Sequence, residues 1–162
     1  MSEVSQNLNQ FKLTPMVGQL DWSVNNNVVP CRILATSSGG ALLVAGNAVK
    51  LVDSAGPVPI VDLVTGVTDT PWGVLVHNMK GDTFLAGTYV DVALQGSTIY
   101  LQTSAAIARG AKVQIDPTGP TVATLASPPN NASLGYSVDK PAAANAVTRF
   151  YIQPLDPNLA AY

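Results

Sequence analysis

Glu3 is the only glutamate in this 162-residue chain, and Lys and Arg together number 8. Without the long charged residues that lace the outer faces of helices, a helical bundle is excluded on propensity and patterning. Against that deficit stand 20 Val, 13 Thr and 6 Ile, divided by 13 Gly and 12 Pro. β-branched side chains suit a pleated, half-buried surface, and Gly and Pro cut such a chain into short pieces. The length suffices for one ordinary domain with its own core. The fold expected is all-β.

Charge narrows the partners. A formal net charge of −2, with charged residues at only 11%, leaves no basic stripe for nucleic acid and no polybasic segment for anionic lipid. The uncharged stretch from Ile33 to Val49 is interrupted by Thr36, Ser37, Gly39, Gly40 and Asn47, so it reads as strand, turn, strand rather than a membrane span. Residues 1–21 lack the basic start and apolar block of a signal peptide. Cys31 is the single cysteine, which rules out an intrachain disulfide and fits a protein made and kept in a reducing cytoplasm, or in something assembled there.

Residues 1–30 read as an extended N-terminal arm. Asn25, Asn26 and Asn27 and several Ser and Gln surround isolated Phe11, Leu13, Met16, Leu20 and Trp22, with no period of 2 or 3.6. Large apolar residues on a polar tether suit a groove on another protein; the alternative is that the arm wraps its own domain. These five are therefore the candidate contact residues, and residues 1–21 are expected to add little to the domain's own core. Residues 31–155 form the β domain and 156–162 a short C-terminal tail. Ten strands are expected, at Arg32–Ala35, Ala48–Asp53, Ile60–Thr65, Trp72–Asn78, Tyr89–Gln95, Thr98–Thr103, Lys112–Asp116, Thr121–Leu125, Leu134–Val138 and Val147–Gln153. Their number and spacing predict a compact small β-barrel or β-sandwich. Gly96-Ser97 reads as a type II′ turn that pairs Leu94 with Ile99 and Val92 with Leu101. Ala93, Val147 and Tyr151 are expected on an outward face that self-associates.

Chemistry finds no foothold. His77 is the only histidine, and no Gly-x-Ser-x-Gly elbow accompanies it. One His and one Cys cannot form a structural zinc site, and Asp62/Asp69 and Asp82/Asp91 are pairs that nine Asp make inevitable. Phosphate-loop spacing is missing around Gly110, Gly119 and Gly135. No catalytic residue, metal or cofactor is expected, which leaves a structural or binding protein.

Several segments resemble the capsid cement or decoration proteins of tailed bacteriophages. The likeness runs through Gly46-Asn47-Ala48-Val49-Lys50-Leu51, Trp72-Gly73-Val74-Leu75, Gly81-Asp82-Thr83, Tyr89 to Gly96, Ile99, and Ala105 to Val113. It continues in Leu134-Gly135-Tyr136-Ser137-Val138 and Val147 to Leu155, so that it spans about residues 41 to 155. The Gly-Asp that often follows the Ile-Ala step is Gly110-Ala111 here, and the arm has no motif to match. The resemblance implies a structural virion protein on the outer surface of the capsid. It would bind the major capsid protein, cement neighbouring subunits, and associate as a homotrimer or a dimer. The alternative is a glycan-binding adhesion module displayed on a virion or cell surface, with Trp22 or Trp72 as its aromatic shelf.

Overall fold

A computed structural model describes residues 15–35, 43–66, 68–77, 83–115, 121–124 and 133–154. It is all-β: twelve strands and, among the described residues, no helix. The strands are β1 (Val28–Ile33), β2 (Leu43–Val44), β3 (Ala48–Asp53), β4 (Ile60–Leu63), β5 (Gly73–Leu75) and β6 (Thr83–Phe84). They continue with β7 (Tyr89–Leu94), β8 (Thr98–Thr103), β9 (Lys112–Ile115), β10 (Thr121–Thr124), β11 (Ser133–Ser137) and β12 (Val147–Ile152). The expected β domain is thus two closed five-stranded barrels in tandem, β1-β4-β3-β5-β7 and β10-β8-β12-β11-β9, with β2 and β6 as a two-stranded ribbon.

Each barrel has its own apolar interior. Alternation along β12 buries Thr148, Phe150 and Ile152 and turns Val147, Arg149 and Tyr151 outward, as a period of 2 demands. Ile99 and Leu101 of β8 meet Phe150 and Thr148 on the same inner face. In the first barrel Ile33, Val49, Val61, Leu75 and Val92 fill the interior, and Leu43 and Phe84 of the ribbon join their cluster.

The two barrels share one topology. In each, the first strand runs parallel to the third and antiparallel to the fifth: β1 with β4 and β7, β8 with β10 and β12. The second strand lies antiparallel to the third and fourth: β3 with β4 and β5, β9 with β10 and β11. Register agrees residue by residue. Val49 faces Gly73 as Val113 faces Gly135, Gly73 faces Leu94 as Gly135 faces Ile152, and Arg32 faces Ile60 as Gln102 faces Thr121. The fold is an internal structural repeat.

Because of this repeat, the expected β7–β8 hairpin does not form. β7 pairs with β1 and β5, and β8 pairs with β10 and β12. The Ser97 N–H donates to the Leu94 carbonyl at 3.1 Å, with Gly96 left-handed at φ 95°. That places glycine third in the turn, whereas a II′ hairpin needs it second. The turn carries the chain from one barrel to the other.

The arm is also partly redrawn. Residues 18–21 lie along β8 as a short added strand: Gly18 N–H donates to the Tyr100 carbonyl (2.7 Å), Tyr100 N–H to Gln19 (2.8 Å) and Asp21 N–H to Thr98 (2.9 Å). They take the part of the β8 edge that β10, paired at Gln102 and Thr103, does not reach. His77 N–H of the first barrel donates to the Gly18 carbonyl at 2.8 Å, so this clasp joins both barrels. A Cβ on Gly18 would stand 2.7 Å from the Ala45 Cβ, a separation that only glycine avoids. The asparagine run is structural as well. Leu94 N–H donates to the Asn27 carbonyl (2.8 Å), and Ser97 Oγ donates to the same oxygen (3.0 Å). Thr98 N–H donates to Asn26 Oδ1 (3.0 Å). Together these bonds tie the start of β1 to the inter-barrel turn.

Candidate capsid-contact surface

The clasp sorts the expected contact residues. Phe11 and Leu13 lie outside the described residues, as does the tail at 156–162. Leu20 is only 3% exposed, bridges Ile99 and belongs to the core cluster of the second barrel. It is therefore a core residue, and burial removes it from the contact set. A lone leucine in a polar context looks like a free anchor, but the open β8 edge supplies the partner. Met16 and Trp22 stand on either side of the clasp, 47% and 77% exposed. Met16 begins a turn in which Gln19 N–H donates to the Met16 carbonyl, and Trp22 lies in the turn that Val24 N–H closes onto Asp21. The clasp thus presents two large apolar side chains on an anchored backbone.

The expected self-association face is split. Ala93 points out of the first barrel, yet it is 0% exposed, because that side lies within the cluster of the second barrel. It leaves the exposed face. Tyr151 is 37% exposed and Val147 half-buried, on the outer side of β12. Of the proposed aromatic shelf, Trp72 packs against the first barrel's core.

Between Tyr151 and Val147 projects Arg149, the hub of an ion network that composition alone did not reveal. Its guanidinium donates through Nε (3.0 Å) and Nη2 (2.7 Å) to the two oxygens of Asp139, and through Nη1 to Asp21 Oδ2 (3.2 Å). Thr148 Oγ1 adds a bond to Asp139 at 2.9 Å. The network fastens the clasp to the second barrel. The only sequence signal was Asp21 and Asp139, each beside turn residues. Hydrogen bonds from Arg149, and then from Thr148, outweigh burial and hold the Asp139 carboxyl down to about 2. Asp21 is lowered chiefly by the Ser23 hydroxyl and N–H, then by Arg149.

A carboxylate held below its unfolded value stabilises the fold above the unfolded pKa, and that contribution disappears as pH falls through the folded one. Stability should be flat down to about pH 4 and decline between about pH 4 and 2. Asp139→Asn should remove about 1 kcal/mol of that decline after solvent screening, as read by thermal melts across this range. An undiminished acid transition in the variant would show that the network does not carry it.

Cys31 is wholly buried in the first barrel, and burial raises its thiol to about 11, so it is not a nucleophile at neutral pH. Lys50 pairs with Asp69 at 2.9 Å, which uses one of the imagined carboxylates structurally. Among the described residues no group of three or more His, Cys, Asp or Glu is placed to hold a metal ion. Among the described residues no helix is long and apolar enough to cross a membrane.

The chain is thus a pair of twin barrels locked by a clasp, with polar side chains of Asn26, Ser97, Asp21, Asp139 and Arg149 joining one part of the chain to another. The family model of the XM1 gp53 minor capsid protein matches residues 17–152, and the chain belongs to that family. It is a capsid-related virion protein with a structural role, associated with other capsid proteins. The match begins at the clasp and ends at the last residue of β12. No curated protein matches the chain.

Proposed function

We propose that the protein binds the outer surface of an assembled phage head and cements neighbouring major-capsid subunits, as a homotrimer. The observation that carries this reading is the clasp. It anchors residues 18–21 in the barrel joint by backbone bonds while Met16 and Trp22 remain exposed beside it. Residues 1–14, with Phe11 and Leu13, precede that anchored point in the sequence, so a capsid groove that received them would bind a segment whose root is already ordered. Pre-ordering the root lowers the entropy lost on binding. A shell presents the same groove many times, so a modest interface per copy gains from avidity. Few charges would leave the attachment weakly dependent on salt.

The test is binding of the purified chain to heads that lack it. Met16→Ser with Trp22→Ala should weaken binding at least about tenfold, or roughly 1.4 kcal/mol. Its melting temperature should stay near that of the unaltered chain, because both side chains are exposed. Undiminished binding by this variant would overturn the role given to the clasp's flanks.

A further inference from the structure

The internal repeat gives each surface of one barrel a counterpart on the other, and one pair of counterparts differs in whether it is covered. In the first barrel Ala48, Val74 and Ala93 stand in a row across β3, β5 and β7 on the outer face. All three are buried in the cluster that contains the second barrel's interior. Register equivalence maps them onto Lys112, Tyr136 and Tyr151, the matching row across β9, β11 and β12. Here Lys112 and Tyr136 are half-buried and Tyr151 is exposed.

The other side of the joint shows the same asymmetry. Ile99, Leu134 and Ile152 of the second barrel are fully buried in the shared cluster. Their counterparts Val29, Trp72 and Leu94 in the first barrel are only half-buried. Both halves of the barrel–barrel joint therefore occur a second time, and both are open.

We propose that a second copy of this chain closes them. The Val29–Trp72–Leu94 end of one copy seats on the Lys112–Tyr136–Tyr151 row of the next, repeating between copies the joint that holds the two barrels inside each copy. The occupant follows from the interface already established within the chain, and tyrosine rings, apolar in body and polar at the tip, suit a face that is wet until it is covered. The intermolecular joint differs in one respect. Pro30 stands where Tyr100 donates its N–H to the clasp, and proline has no N–H to give. The contact between copies is thus made by side chains, without an added strand. Such a contact is heterologous, one patch meeting a different patch, and it closes into a ring when its rotation allows. The inference deepens only the self-association part of the proposed function, and head binding does not enter it.

Complementation of two full-length variants tests it. Tyr136→Glu with Tyr151→Glu blocks the row, and Leu94→Lys blocks the end. In sedimentation the unaltered chain should associate, and each variant alone should associate at least about tenfold more weakly. Mixed one to one, the variants should form a heterodimer and stop there, because one intact end meets one intact row. If Leu94→Lys melts early, Leu94→Cys and Tyr151→Cys, each adding one cysteine to a chain whose own Cys31 is buried, replace the pair, and a disulfide should form only in their mixture. An unaltered chain that stays monomeric, variants that associate like it, or a mixture that gives neither heterodimer nor disulfide overturns the proposal. Head binding measured on the same proteins keeps the two readings apart. Lost complementation with intact head binding refutes the joint alone, and the reverse refutes the capsid contact alone.

Discussion

Gly73→Ala and Gly135→Ala should each lower stability by about 3 kcal/mol, a fall of roughly 6–12 °C in melting temperature for a chain of this size. These glycines occupy the same place in the two barrels. A Cβ on Gly73 would run into the Ala93 carbonyl oxygen and Val92 Cγ1, and one on Gly135 would run into the Tyr151 carbonyl oxygen. Ala93 and Tyr151 are themselves register counterparts, so the same collision recurs for the same reason. Backbone atoms cannot turn aside as a side chain can, which makes the strain costly. Gly66→Ala meets nothing within 4 Å and should stay within about 0.5 kcal/mol of the unaltered protein. Thermal melts of the three variants decide the matter. Near-native melting of either barrel variant would mean that the two barrels do not pack as described.

Deleting residues 1–21 should cost about 4 kcal/mol, whereas deleting 1–14 should leave the melting temperature within about 2 °C. The longer deletion removes Leu20 from the core, worth roughly 1.5–3 kcal/mol. It also removes backbone bonds to Thr98, Tyr100 and His77 and the Asp21–Arg149 pair, at roughly 0.5–1.5 kcal/mol for each hydrogen bond. The shorter deletion leaves every one of these contacts in place. Equal melting of the two truncated chains would refute the clasp.

What the chain discloses in advance is local. β3 and β8 fall at Ala48–Asp53 and Thr98–Thr103 as the alternation of apolar residues predicts, and β12 turns the expected side chains inward. Alternation tells which face a residue takes, not which strand it meets. Leu94/Ile99 and Val92/Leu101 were compatible as hairpin pairs because both strands have apolar inner faces, yet those faces belong to different barrels. Leu20 failed in the same way: its partner, the open edge of β8, exists only once the second barrel has closed.

The repeat left a faint trace. Gly46, Val49, Asp53 and Gly56-Pro57 recur as Gly110, Val113, Asp116 and Gly119-Pro120, and Trp72-Gly73 recurs as Leu134-Gly135. The distance between counterparts is not constant: Arg32 and Gln102 lie 70 residues apart, Val49 and Val113 64, and Leu94 and Ile152 58, so connections of unequal length hide the period. Few other identities survive, since a barrel asks only for apolar residues at alternate positions and glycine where strands crowd. The ion network of Asp21, Asp139 and Arg149 was illegible for a different reason. Its members come from the clasp, a loop and β12, and nothing in the sequence brings them together before the fold does.

Electron microscopy of the particle that carries this chain tests the central claim most directly. The account predicts paired small barrels on the outside of the shell, with the segment that leads into the clasp laid across the junction between neighbouring major-capsid subunits. Barrel density on the inner face of the shell, or density that touches one capsid subunit without reaching its neighbour, would contradict it.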